Sequence, residues 1–456
     1  MKIDFKKFIK YSKPGPRYTS YPTAVEFSED FTYSAYIKKL QNRDVKKPIS
    51  IYIHLPFCRS ACYFCGCNVI FTSKEEKKVR YIDYLRRELE ILSNVMDTYS
   101  DVVQFHFGGG TPTFFSAKQL DEIMIQVKKY FPNFAKDAEI SCEIDPRFFN
   151  EEQMKILQRH GFTRISFGVQ DFNPTTQEAI HRIQPYDLTK EAVELARKYG
   201  VESVNIDLIY GLPYQTLESF KKTLELTYSL NPDRLAVFNY AHVPWLKKTM
   251  RKLDETTIPA PDVKLSILQY TIDYFTNNGY KMIGMDHFAK PDDELFKAIK
   301  KGELHRNFQG YTTHGGADLI GIGVTSIGEG VDYYAQNFKE LATYEAAIDA
   351  KKLPFWRGIE LSRDDLIRKS VIMELMSNFK LDTQRVEKEF KIDFKAYFFD
   401  ALKALQPMID EGLVHISNNK ISVSQTGVLI IRNIAMAFDA YMKKHTKSKK
   451  TFSKTV

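Results

Sequence analysis

The sequence predicts an α/β fold built on a parallel sheet or barrel of six βα units. Three observations carry this. From residue 51 to residue 238, short β-branched apolar runs alternate with amphipathic stretches of helical length, the pattern of parallel strands joined by crossover helices. The runs are largely apolar, as expected when both faces of a sheet are covered. Chemistry-bearing residues recur where each run ends, and that is the end of an α/β barrel that carries function.

The strands fall at 51–55, 103–107, 139–144, 164–169, 204–209 and 234–238, and the helices between them at 74–96, 116–130, 150–160, 187–199 and 216–230. A cysteine loop follows the first strand and the glycines of residues 108–110 follow the second. Glu143 and Asp145 end the third, and Gln170 ends the fourth. Asp207 and Tyr210 lie late in the fifth, and Asn239-Tyr-Ala-His242 follows the sixth. Beyond residue 330 the pattern changes. Residues 364–379 and 394–406 read as amphipathic helices, 412–423 as a β-hairpin resembling the wing of a winged helix, and 426–442 as one helix. That last helix is apolar on two sides, which suits packing against a neighbour better than binding DNA.

Composition narrows the class. With 456 residues, 43% hydrophobic and 27% charged, the chain is an ordinary globular protein able to bury a full core. No apolar run reaches the ~18 residues a membrane span needs, and the first residues resemble neither a secretory nor a transit segment. The expected location is the cytoplasm. Six of the eight net positive charges lie in the last fourteen residues, so the charge marks a solvated basic tail rather than a nucleic-acid surface.

The most specific chemistry lies in His54-Leu-Pro-Phe-Cys58-Arg-Ser-Ala-Cys62-Tyr-Phe-Cys65-Gly-Cys67, which holds four of the five cysteines. Thiolates at this spacing suit an iron–sulfur cluster or zinc. Cys67, two residues past Cys65, can point toward or away from a metal held by Cys58, Cys62 and Cys65. If it points away, a four-iron cluster keeps one iron open to a small molecule. If all four bind, the loop is a structural zinc knuckle. Cys142 reads as a small buried hydrophobe, and an odd, sparse cysteine count argues against disulfides. His160, His181, His415 and His445 read as ordinary surface or helix residues.

The triad resembles the cluster motif of the radical S-adenosylmethionine (SAM) superfamily. Within it, the string from Tyr52 through Asn68 is similar to that of the oxygen-independent coproporphyrinogen III oxidases. So, in order, are Gly15-Pro-Arg17-Tyr-Thr-Ser-Tyr21, Gly108-Gly-Gly-Thr-Pro-Thr113, Asn205-Ile-Asp207-Leu-Ile-Tyr-Gly211, Asn239-Tyr-Ala-His242, Gly284-Met-Asp-His-Phe288 and His305-Arg-Asn-Phe-Gln-Gly-Tyr311.

The resemblance implies a partial (β/α)6 TIM-like radical SAM barrel at 48–330. It implies an N-terminal arm over the active site at 1–47 and a mainly helical C-terminal lid domain with the hairpin and basic tail at 331–456. It implies a [4Fe-4S] cluster on Cys58, Cys62 and Cys65, and two SAM molecules. Tyr52, Gly109, Glu143 and Ile327 would contact the first SAM. Phe64, Gly110, Thr111, Gln170, Arg182, Asp207 and Ala241 would contact the second. Cys67, His54 and Gln309 are the catalytic candidates, and Arg17, His305 and Arg306 join His54 and Gln309 as candidates for the substrate carboxylates. The implied reaction converts two propionates of coproporphyrinogen III to vinyl groups in anaerobic haem synthesis. The implied partners are a flavodoxin- or ferredoxin-like electron donor and an electron acceptor, with neither nucleic acid nor membrane, for a monomer. A haem chaperone and an anaerobic haem-degrading enzyme share the loop; Cys67 and the arm favour the oxidase over the chaperone, and the 307–311 string favours it over the haem-degrading enzyme.

Overall fold

The computed structural model describes residues 10–445 together with Phe452 and Thr455; most of the basic tail lies outside these. Six parallel strands, β1 (Ile49–Leu55), β2 (Val102–Gly109), β3 (Phe134–Ile144), β4 (Arg164–Gln170), β5 (Ser203–Tyr210) and β6 (Arg234–Asn239), pair in sequence order. Helices α1 (Glu75–Val95), α2 (Ala117–Tyr130), α3 (Glu151–Arg159), α4 (Tyr186–Lys198) and α5 (Leu217–Ser229) connect them, within a residue of the predicted bounds. Local chemistry sets several starts. Ser116, Asn150 and Thr216 each cap a helix through a reciprocal capping box, a device worth about 1 kcal/mol.

The prediction of strands covered alike on both faces needs correction. Along β4, Ile165, Phe167 and Val169 are buried while Arg164, Ser166, Gly168 and Gln170 are only half-buried. On β5, Asn205, Asp207 and Ile209 take the half-buried face. One face packs on helices; the other lines a polar lumen.

The sheet also extends beyond six strands. Asp318–Ile322 pairs in parallel on the far side of β1, followed by antiparallel Ile327–Glu329, Tyr333–Asn337 and Phe355–Glu360. His287–Ala289 and Lys281–Met282 flank β6. The end strands do not pair, so the barrel stays open. Two of the sheet strands therefore lie past residue 330, and the helical portion begins with Arg363–Asn378, capped by Ser362. No helix among the described residues is long and apolar enough to cross a membrane.

Two C-terminal helices differ from prediction. The 394–406 helix splits at Phe398 into Phe394–Tyr397 and Phe399–Asp410. The 426–442 helix is a 3-10 turn at Gly427–Ile430, a short helix at Ile431–Met436 and a last turn at Met442–His445. Residues 431–435 are buried on every side. The following Asp439 accepts hydrogen bonds from the Tyr18 hydroxyl (2.8 Å) and the Tyr441 amide (2.8 Å), so tertiary contacts end the helix. The hairpin Val414–Ser417/Lys420–Val423 is joined by Lys380–Asp382 into three strands. The N-terminal arm threads between this portion and the sheet: Arg432 Nε donates to the Pro16 carbonyl at 2.8 Å, and Ser28 bridges Gly358.

A buried carboxylate fixes the turn beside β1. Glu88 on α1 accepts from the Gly323 amide (2.8 Å), the Tyr344 hydroxyl (2.6 Å) and Asn337 Nδ2 (2.8 Å). Tyr81, two turns earlier on the same face of α1, donates to the His54 carbonyl (2.8 Å) and accepts from the Val324 amide (3.0 Å). Burial lifts the Glu88 carboxyl from 4.5 to about 7, only partly offset by these donors. Between those values the folded chain keeps a proton that the unfolded chain has released, so stability falls as pH rises through that window. Urea denaturation across pH should show the stability of the native chain, relative to Glu88→Gln, declining by at most about 3 kcal/mol from pH 4.5 to above 7.

Candidate active site

The cysteine loop is closed at its base and pinned on its sides. Phe57–Cys58 pairs in parallel with Ile70–Phe71. The Tyr63 amide donates to the Ile180 carbonyl (2.9 Å), and the Tyr63 ring stacks on His181 at 4.9 Å. His181 Nδ1 lies 2.8 Å from the Ala61 carbonyl, His54 Nε2 lies 2.9 Å from the Asn68 carbonyl, and Lys247 Nζ donates to the Cys67 carbonyl at 2.8 Å. His181 is therefore not an ordinary surface residue: it clamps the loop. His160 is a helix residue, as expected, capping the C-terminus of α3, and it is buried against Asp121 at 2.7 Å.

Pinned this way, the loop turns its sulfurs into one cleft of about 230 Å3. All five cysteines are free, and Cys142 is buried, as expected of a hydrophobe. The Cys58 sulfur lies 3.3 Å from the Thr111 hydroxyl. The Cys62 sulfur meets Arg147 Nη2 at 3.6 Å and Arg182 Nη1 at 3.7 Å. Hydrogen bonding from Cys67 brings the Cys65 thiol down to about 6 and pushes Cys67 up, while burial drives Cys58 up to about 12.

These donors fit a cluster. Soft sulfurs, each beside a hydroxyl, guanidinium or thiol donor, match what a thiolate-ligated iron–sulfur centre needs. Among the described residues no three His, Cys, Asp or Glu side chains are grouped as a single-ion site. A cubane takes each thiolate at a different corner and so accepts donors that stand apart.

The glycine turn forms the facing wall. Gly110 N donates to the Leu55 carbonyl (2.8 Å) and Thr111 N to the Phe57 carbonyl (3.1 Å). A Cβ on Gly110 would lie 2.6 Å from the Pro56 oxygen, and Gly109 has φ +121°, a conformation reserved for glycine. Gly109 N points at Glu143 Oε2, 3.3 Å away. Burial raises the Glu143 carboxyl, but hydrogen bonding and charge from His106, with this amide, outweigh it and keep the carboxyl below the usual range.

Phe64, Gly109, Gly110, Thr111, Glu143, Gln170, Arg182 and Asp207 share the cleft with the four loop cysteines. Gln170 ends β4 with φ 72°, unusual for a side chain other than glycine and a frequent mark of a functional position. The other candidates lie apart. Tyr52 sits on β1 behind Gly108, its hydroxyl 3.1 Å from His54 Nδ1 and its ring stacked on His106. Ile327 packs with the Phe27–Tyr334 patch, and Ala241 follows β6, half-buried. Gln309 lines a second cavity of about 280 Å3 in the lumen, which shares Glu143, Ser166 and Asp207 with the cleft. Burial and the Glu143 charge raise the Asp207 carboxyl to about 6, against hydrogen bonds from Asn205 (2.7 Å) and Ser166 (3.0 Å). His305 is exposed on its short strand.

Two groupings escaped the sequence reading, although it singled out Asp145, Arg17 and Arg306 one by one. One is the Asp145-Pro146-Arg147 turn, whose acid and base at i, i+2 after a strand were the available signal. Asp145 binds both Arg147 and Arg182. The other is a basic cluster of Arg17, Arg306 and Arg432 about Asp286, whose members come from four distant segments. Burial, then the Arg17 charge, lowers Arg432 to about 9. His287, 2.5 Å away, holds Asp286 down to about 2 in spite of burial. Nε and Nη1 of Arg306 and Nε2 of Gln309 are buried without hydrogen-bond partners.

An open parallel barrel with a three-cysteine loop after its first strand defines the class: residues 52–227 match the Radical SAM superfamily, and 361–430 match the HemN C-terminal domain. The oxygen-independent coproporphyrinogen III oxidase of Helicobacter pylori J99 is 58% identical over 100% of this chain and 99% of its own length; that of Escherichia coli K12 is 46% identical over 98% and 97%. A solved structure, described as coproporphyrinogen III oxidase (HemN) from Escherichia coli, a radical SAM enzyme, superposes with a TM-score of 0.91 over 96% of this chain and 98% of that one. The chain belongs to the family of oxygen-independent coproporphyrinogen III oxidases.

The turn geometry makes a direct prediction. Gly110→Ala forces backbone against backbone, so chemical denaturation should register a loss of about 1–3 kcal/mol, whereas Gly66→Ala, where an added Cβ meets nothing within 4 Å, should fall within about 0.5 kcal/mol.

Proposed function

We propose that this chain carries out the oxidative decarboxylation of the ring A and ring B propionates of coproporphyrinogen III, giving protoporphyrinogen IX. The observation that carries the reading is the cleft itself: three triad sulfurs, the glycine turn and the strand-end polar groups converge on one space, in a chain 58% identical to a named oxidase. Cys58, Cys62 and Cys65 would hold a [4Fe-4S] cluster. Two SAM molecules would divide the cleft and its margins, one toward Tyr52, Gly109, Glu143 and Ile327, the other toward Phe64, Gly110, Thr111, Gln170, Arg182, Asp207 and Ala241. When bound, the cluster supplies the electron that breaks a carbon–sulfur bond of SAM and thereby the power to take a hydrogen atom from a propionate β-carbon.

The chain's own residues bind, orient and exclude water. Gly109 N and ionised Glu143 form a donor–acceptor pair for an amino-acid or ribose group. Asp207, whose carboxyl burial raises to about 6, is suited to accept a hydrogen bond from an adenosyl group. The substrate brings four carboxylates. Arg17, Arg306 and Arg432 gather more positive charge about Asp286 than that carboxylate balances, and the unpartnered nitrogens of Arg306 and Gln309 offer donors for an anion. Cys67, hydrogen-bonded to Cys65, would stay outside the cluster's ligand set, and His54 would orient the loop base through Asn68. A low-potential flavodoxin- or ferredoxin-like donor, an electron acceptor, a cytoplasmic setting and a monomeric state complete the proposal.

Anaerobic incubation with SAM and coproporphyrinogen III tests it: vinyl products with 5′-deoxyadenosine are expected, and haem binding with no decarboxylation would instead indicate a chaperone. Alanine at Cys58, Cys62 or Cys65 should abolish iron retention after reconstitution, whereas Cys67→Ala should keep iron and the visible absorption. Arg17→Ala and Arg306→Ala should each weaken porphyrinogen binding about tenfold or more, the scale of one charge-assisted hydrogen bond, with SAM affinity unchanged.

A further inference from the structure

We propose that Arg147 sets the reduction potential of the cluster by donating a hydrogen bond to the Cys62 sulfur, with Asp145 as its positioning brace. The inference rests on the reading that the triad holds a [4Fe-4S] cluster. Arg147 follows β3 in the single turn Pro146–Phe148, whose cap is Asp145. One carboxylate grips the residue at three points. Asp145 Oδ1 accepts from the Arg147 amide (3.1 Å) and Nε (3.0 Å), and Oδ2 accepts from Nη2 (2.7 Å). The guanidinium lies over the Phe148 ring at 5.4 Å. A planar fork held side-on to a carboxylate has one orientation, and that orientation leaves Nη2 at 3.6 Å from Cys62 Sγ.

Asp145 is 6% exposed and its carboxyl is kept ionised, against burial, by Arg182 and Arg147. Two guanidinium groups against one carboxylate leave a net positive charge beside Cys62. Reducing the cluster adds negative charge to its sulfurs, so a nearby cation and an N–H···S bond stabilise the reduced state more than the oxidised one and raise the potential. Arg182 also approaches Cys62, through Nη1 at 3.7 Å, but that nitrogen is held by Asp145 Oδ2 at 2.7 Å and its Nη2 by the Gly168 carbonyl at 2.5 Å on the cleft wall. Arg147 has the carboxylate, the aromatic ring and the sulfur as its contacts, the arrangement expected of a residue that serves the cluster.

The test is a potentiometric EPR titration of the reconstituted full-length chain without SAM, comparing the native protein with Arg147→Gln, Arg147→Lys and Arg59→Gln, an exposed cation of the same loop. Iron and sulfide analysis of the native protein checks the cluster reading separately. The midpoint should move to more negative potential in Arg147→Gln, and in Arg147→Lys, which keeps the charge but not the fork. Arg59→Gln should match the native value. A native midpoint in either Arg147 variant with full iron content overturns the proposal. Should neither variant retain iron, pulsed EPR of the cluster in Arg182→Lys, which removes the other guanidinium near Cys62, with nitrogen-15-labelled arginine decides it. A guanidinium coupling supports the bond and its absence overturns it.

Discussion

The structure depends on how closely the end of β2 can approach the end of β1. Two backbone hydrogen bonds, Gly110 to Leu55 and Thr111 to Phe57, tie the glycine turn across the base of the cysteine loop. They form only because residues 108–110 carry no side chains: any Cβ there meets Tyr52, His54 or the Pro56 carbonyl at 2.9 Å or less. That contact aligns the loop with the wall it faces, and it places Thr111 against Cys58. The neighbouring strands then only have to end level with it. Glu143, Asp145, Gln170 and Asp207 do so because parallel pairing in sequence order holds their strands in register.

Around this contact the charges are arranged in layers. Near Cys62 two arginines share one aspartate; at the lumen centre Glu143 stays ionised while burial lifts Asp207; by the arm, three arginines surround Asp286. Each layer suits the group proposed to meet it, respectively an anionic cluster, an adenosyl cofactor and a polycarboxylate. A parallel barrel packed throughout with branched apolar side chains would have no room for them. The half-buried polar face of β4 and β5 makes the lumen a usable space rather than a core.

Much of this was legible in the chain. Helix bounds followed from amphipathic periodicity, a local signal. The cysteine spacing, the glycine run and the strand-end acids were visible because they lie close together in sequence. The polar lumen was harder to read, since β2 and β5 carry enough apolar residues to look covered on both sides. The broken helix after residue 426 was misread because its apolar residues read as one continuous helix, while the contacts that end it come from elsewhere in the chain. Its end is set by Asp439 meeting Tyr18, more than four hundred residues away in the chain.

The sequence by itself determined the order of βα units, the cysteine loop with its glycine turn, and the family to which these belong, because each is encoded by neighbours along the chain. Only the tertiary structure decided that Arg147 and Arg182 meet at Cys62 and that His181 clamps the loop. It alone brought Arg17, Arg306 and Arg432 together about one aspartate. Those contacts join segments far apart in sequence, and no local pattern reports which distant side chains a fold will bury side by side.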